Sequence, residues 1–363
     1  MLRKILKALG ALVLLAALGV AGLFGWWKMH EASGAGFGLR YSLPDSLSPQ
    51  AHAQYERLYF LAATLGRFAA PPATVEKLEE LNRVDLKKLE ARRDEELKEK
   101  GFAFSDREVA GVKVLDIRPP DYRDDGTLLL HAHGGGWVLG SAHGGSDLDA
   151  LIAASTGKRI LSIDYTLAPH ARWQQVTDQV LAVYREVLKE RPALSIGLVG
   201  ESAGGDIVAA STLKARDQGL PLPVALVLLA PGLDLSMRSD TWTTLADIDP
   251  VLGDRAALAL AVSLYAPEAA DRLNPYVSPV YGDFTKGFPP VLLQVGTREV
   301  VLSDSVRLYQ ALKRDGREAK LDLYEGMTHV FMGYIKDAPE QKAAFDQQRA
   351  FWSRHLVPAA PKS

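Results

Sequence analysis

The chain has 363 residues, 47% of them hydrophobic and 24% charged, with a formal net charge of −2. That length suits one large α/β domain with additions, and the near-neutral balance, without a block of like charge, argues against nucleic acid as a partner. No cysteine occurs, which removes disulfides, thiolate metal sites and a cysteine nucleophile at once.

At the N-terminus, MLRKILK carries Arg3, Lys4 and Lys7, and residues 8–27 then run without a charge. A helix of twenty residues spans roughly 30 Å, the thickness of a bilayer's hydrocarbon core. Trp26 and Trp27 close the segment where an interfacial aromatic belt would lie. The expectation is a cytoplasmic tail over residues 1–7 and a single-pass transmembrane anchor over residues 8–27. The rest would then lie on the non-cytoplasmic side, periplasmic or extracellular. The competing reading is a cleaved signal peptide, with small residues at Val20-Ala21-Gly22, which would leave a secreted or periplasmic protein; the length of the apolar run favours retention.

Residues 28–49, rich in Gly, Ser and Pro, read as a linker. Residues 50–103 read as helical: Tyr55, Leu58, Tyr59 and Ala62 share one face, and Val75, Leu78, Leu86 and Leu89 follow Pro71-Pro72 amid Glu, Lys and Arg. Beyond about Val109 the apolar period shortens. GVKVLDI, TLLLHAH, KRILSIDY, LSIGLVG, VALVLLA and PPVLLQVG read as strands, separated by helical stretches such as residues 174–189. Such alternation predicts a mostly parallel central sheet flanked by helices, with reactive groups at the strands' carboxyl ends.

Three stretches carry chemistry. In LVGESAGGD a strand ends at Val199 and Gly200-Glu201-Ser202-Ala203-Gly204 fits G-x-S-x-G before an alanine-rich helix. Side chains at Gly200 and Gly204 would collide with backbone while Ser202 is held at the apex as a nucleophile. In LLLHAHGGGWVLG the glycines after His133 free backbone N–H groups to face a site, as an oxyanion requires. Gly134 and Gly135 are the expected donors, joined by Ala203, with His133 and Gly136 as loop support. In LDLYEGMTHVF a strand over residues 320–324 leads to His329, the expected base for the serine. His131, His133 and His143 lie close enough to raise a metal site, but no further His or carboxylate joins them in sequence, and no metal is expected.

HGGGW with GESAGG, then DYTLAP, LNPYVSP and GMTHVF, in that order, resemble the hormone-sensitive-lipase-like group of α/β-hydrolase esterases over roughly residues 104–356. The resemblance implies an α/β-hydrolase domain over residues 104–357 and serine hydrolysis of carboxylic esters without a cofactor. It also implies that residues 50–103 form a helical cap over an acyl pocket. In that family the triad acid, usually Asp, sits three residues after the glycine that ends PPVLLQVG, which matches Glu299. Asp304 is the alternative acid, and its other account is to start a helix over residues 305–313. This chain departs from the family at DYTLAPHARWQQ, where a Glu-His-Pro portion is missing, and at Glu201 and Asp206, which stand where GDSAGGN has Asp and Asn.

The leading expectation is thus a membrane-anchored carboxylic-ester hydrolase acting on short-to-medium acyl esters through Ser202, Glu299 and His329. A lactone hydrolase or a small-molecule or sugar deacetylase would use the same machinery. A ligand-binding protein that has lost hydrolysis is the reading of a different class, and the presence of both Ser202 and His329 weighs against it.

Overall fold

The computed structural model of the chain describes residues 43–65, 74–76, 80 and 86–359. The proposed anchor over residues 8–27, with most of the linker, lies outside the described residues. Among the described residues no helix is long and apolar enough to cross a membrane.

Eight strands form one sheet: β1 (Ala103–Val109), β2 (Val112–Arg118), β3 (Leu128–Ala132), β4 (Ile160–Ile163), β5 (Ile196–Glu201), β6 (Ala225–Leu229), β7 (Val291–Gly296) and β8 (Ala319–Tyr324). Their order is β1-β2-β4-β3-β5-β6-β7-β8; β2 pairs antiparallel with both neighbours and the rest are parallel. Strand β1 was not legible in sequence, because its residues are mostly exposed and show no apolar alternation.

Helices cover both faces, so the central strands β3 to β7 are buried at every position and mostly apolar. On one face Leu128, Leu130, Leu226 and Leu228 pack with Val176, Val180 and Val183 of α4 (Trp173–Glu190) and with Ile207 and Leu213 of α5 (Ala203–Asp217). On the other, Leu129, Val199, Val227 and Leu292 pack with Ile152 of α3 (Ser146–Thr156) and Trp352 of α8 (Pro339–His355). Neighbours such as Leu128 and Leu129 thus enter opposite cores, the two-residue period of a strand.

The linker expected to run through residue 49 is already folded at its described end. Leu43 and Leu47 are buried, and Ser48 bonds the Glu340 carboxylate through both its N–H and its hydroxyl, each at 2.7 Å. Helix α1 (Pro49–Leu65) continues from there and buries Ala51, Tyr55 and Tyr59. Helix α2 (Leu86–Glu99) instead attaches to the loop after β3: Arg93 donates to the Gly144 carbonyl at 2.7 Å, and Ser141 donates to Glu90 at 2.6 Å.

Register places the chemistry. Ala132 pairs with Gly200, so the glycine loop and the serine turn leave adjacent strands at one level. Gly296 pairs with Tyr324, so the loops carrying Glu299 and His329 leave side by side. All four loops open at the carboxyl ends of parallel strands.

Candidate active site

Ser202 sits between β5 and α5 with φ 55° and ψ −121°, a backbone conformation that non-glycine residues rarely adopt. The turn is tight enough to exclude side chains on either side. A Cβ on Gly200 would lie 2.4 Å from the Gly204 carbonyl oxygen, and one on Gly204 would lie 1.9 Å from that of Ala132. The N–H of Ser202 donates to the Leu229 carbonyl at 2.9 Å, which ties the turn to β6.

His329 lies within reach of that hydroxyl: its Nε2 is 2.8 Å from Ser202 Oγ, and its Nδ1 is 2.8 Å from Glu299 Oε2. The other oxygen of Glu299 accepts the N–H of Gly296, so the carboxylate is pinned to the end of β7. Burial pushes Glu299 above the ordinary carboxyl value, against the pull of His329 and the Gly296 N–H. A hydroxyl, an imidazole and a buried carboxylate in line can move a proton from serine oxygen to imidazole while holding the resulting charge.

In the glycine loop Gly135 has φ +107 and Gly136 has φ +60. The Nδ1 of His133 is 2.8 Å from the Gly134 carbonyl, its ring stacks on Tyr165 at 4.3 Å, and the Tyr165 hydroxyl donates to the His133 carbonyl at 2.8 Å. Expected as loop support, His133 holds the loop by those three contacts. Gly134 departs from expectation. Its N–H donates to Glu201 Oε1 at 2.6 Å and is already taken in this structure. The N–H groups of Gly135, Gly136 and Ala203 have no such acceptor.

A family model of the alpha/beta hydrolase fold matches residues 129–333, the span from the middle of β3 to just past His329. Among curated proteins, "Putative acetyl-hydrolase LipR" of Mycobacterium tuberculosis is 32% identical over 262 residues, 71% of this chain and 82% of that one. The chain belongs to the hormone-sensitive-lipase-like α/β-hydrolase family. A crystal structure of an esterase from the bacterial hormone-sensitive lipase family superposes on this hydrolase with a TM-score of 0.73 at 29% identity, covering 86% of this chain and all of the other. The structure of an esterase named E25 gives 0.77 at 31% identity, covering 87% and 97%.

Asp304 of this hydrolase neither faces His329 nor starts its helix. Helix α7 (Leu302–Arg314) begins three residues earlier than expected, which puts Asp304 in its first turn. Its buried carboxylate accepts the N–H groups of Leu233 and Asp234 at 2.9 and 3.0 Å and the indole N–H of Trp242 at 3.0 Å, clamping the loop after β6. The three histidines also separate. His131 pairs with Asp149 and Glu201, and His143 lies between Asp94 at 2.6 Å and Asp106 at 2.8 Å.

Sequence reasoning missed two braces. Asp249 accepts the Val300 N–H at 3.0 Å next to Glu299, and the Tyr55 hydroxyl accepts the Thr328 N–H at 3.0 Å next to His329. Neither lies in a motif; Asp249 sits in an irregular stretch, and Tyr55 looks like one more apolar helix position. Within the described part of segment 50–103, α1 backs the histidine loop and α2 attaches beside the glycine loop.

Proposed function

We propose that this hydrolase cleaves carboxylic esters of short-to-medium acyl chains, with Ser202 as nucleophile, His329 as general base and acid, and Glu299 as the residue that orients the imidazole. The observation that carries the reading is the unbroken line from Ser202 Oγ through His329 to Glu299, with 2.8 Å at each step. Ser202 Oγ attacks the carbonyl carbon as its proton passes to His329 Nε2. The N–H groups of Gly135, Gly136 and Ala203 receive the oxyanion, each such donor being worth roughly 10²–10³ in rate. His329 then returns the proton to the departing alcohol, and water repeats the sequence on the acyl-enzyme.

Large apolar side chains pack against the serine turn. The Trp137 ring stacks on Tyr265 at 5.4 Å and donates to Asp206 at 3.1 Å, while a Cβ on Gly232 would lie 3.8 Å from both Trp137 and Val301. The Gly232 N–H in turn donates to the Ser202 carbonyl at 3.2 Å, so this apolar wall abuts the nucleophile's own peptide. The name acetyl-hydrolase carried by relatives supports the acetyl end of the range.

A fluorophosphonate should label Ser202 in folded protein, and a series of p-nitrophenyl esters should show turnover falling with acyl length. No adduct at Ser202 would sink the reading, and activity confined to long chains would overturn the substrate range. The membrane anchor remains our reading of residues 8–27 from sequence. Mass spectrometry of the mature N-terminus tests it, because a chain beginning after about residue 20 would identify a signal peptide.

A further inference from the structure

Behind the glycine loop lies a buried line of charge that the ester chemistry does not use directly. His131 on β3 and Asp149 on α3 are both fully buried. The Nδ1 of His131 is 2.7 Å from Asp149 Oδ1 and 3.2 Å from Ser162 Oγ on β4, while its Nε2 meets Glu201 Oε2 at the end of β5. The second oxygen of Glu201 accepts the Gly134 N–H at 2.6 Å. One continuous chain of contacts thus runs from α3 through β3 and β5 into the loop whose next two N–H groups face no acceptor.

Electrostatics make this a unit. Burial alone would push His131 down, but Asp149 and Glu201 override it and hold the imidazole well above its ordinary value. Burial would likewise raise Glu201, but His131 overrides it and holds the carboxyl below its ordinary value. At neutral pH His131 is therefore held as an imidazolium and Glu201 as a carboxylate. An ionised acceptor takes the Gly134 N–H more strongly than a neutral one would. Loss of the central cation would leave the Glu201 carboxylate buried without its charged partner.

We propose that His131 and Asp149 are positioning residues for ester hydrolysis: they fix the Glu201 carboxylate, which captures the Gly134 N–H and thereby leaves those of Gly135 and Gly136 free beside Ser202 for the oxyanion. The proposal rests on the ester-hydrolase reading. Neither residue touches substrate; their effect is on how the oxyanion donors are presented.

The test compares the full-length enzyme with His131→Gln, Asp149→Asn and the double variant. Each is assayed for p-nitrophenyl acetate turnover and for inhibition by a trifluoromethyl ketone, whose adduct with serine mimics the oxyanion. In each variant kcat should fall roughly 10–100-fold with KM within about twofold, and the ketone should lose affinity by a matching factor. The double variant should be no worse than the worse single one, as expected of residues acting as a unit. Should His131→Gln not fold, Asp149→Asn, which keeps shape and volume, decides alone. Variants that lose thermal stability but keep kcat and ketone affinity overturn the proposal, as does a rise in KM alone. Wild-type protein that neither hydrolyses esters nor takes a fluorophosphonate would sink the underlying reading and this proposal with it. An active wild type with unaffected variants would sink only the proposal.

Discussion

Tyr55 holds the residue before His329: its hydroxyl accepts the Thr328 N–H at 3.0 Å across 273 positions of sequence. The same hydroxyl lies 3.4 Å from Met327 Sδ, and burial pushes its titration well above the ordinary tyrosine value, so it stays neutral. Tyr55→Phe keeps the ring and strips the acceptor, leaving a buried backbone N–H without a partner. The expected cost is about 1–3 kcal/mol of stability, read by urea denaturation. A kcat lowered several-fold at unchanged KM would show that the histidine loop has loosened.

Glu299 and Asp304 should respond in opposite ways. Glu299→Gln offers His329 Nδ1 no anionic partner, and kcat should drop by roughly 10³–10⁴ with the fold intact. Asp304→Asn removes one acceptor from a carboxylate that serves three N–H donors. About 1–3 kcal/mol of stability should be lost, while activity per folded molecule is kept. Parallel measurement of kcat and denaturation midpoints decides, and the reverse pattern would exchange the two roles.

Asp206 is fully buried, and burial raises its carboxyl well above the ordinary value, with Asp304 adding to the rise and the Trp137 N–H opposing it. The folded state therefore keeps a proton that the unfolded chain releases above about pH 4. Because the folded state binds more protons, stability falls as pH rises from there toward the raised native value. Asp206→Asn can still accept from Trp137 and has no proton to lose. Its stability advantage should widen steadily between acid and alkaline pH. A gap that stayed constant would mean that Asp206 is ionised in the fold.

Two neighbouring glycines should differ sharply. At Gly135, with φ +107, a Cβ would sit 2.0 Å from the Leu139 carbonyl oxygen, so Gly135→Ala must move the loop and should abolish turnover. At Gly136 a Cβ would meet nothing closer than Ala261 at 3.9 Å, leaving only left-handed strain of about 1–2 kcal/mol. Gly136→Ala should fold and retain most of its rate, as steady-state assays on acetyl esters would record.

What sequence carried and what it did not follow from how local each signal is. The serine turn and the order of serine, acid and histidine were legible because a strand-to-helix turn and strand-end loops impose residue types within a few positions. Glu299 was reached by counting from a glycine, and the structure puts it 2.8 Å from His329 Nδ1. Nothing near Gly134 in sequence reveals that its N–H meets Glu201, which lies 67 positions away. Asp304 was misjudged because the helix begins at Leu302 and the groups it serves belong to the loop after β6. In sequence His131 is only one of three histidines close enough to raise a metal site, since nothing near it reveals Asp149 or Glu201 as neighbours. Partners joined only by tertiary packing leave no periodicity to read.

The docking of Leu43 to Ser48 onto the body also sets a length. If residues 8–27 are held in a bilayer, the slack between membrane and enzyme is no more than residues 28–42, since the chain is already packed at Leu43. Fully extended, that stretch reaches roughly 50 Å, little more than the width of the catalytic domain itself. The active site would then stay within about that distance of one leaflet.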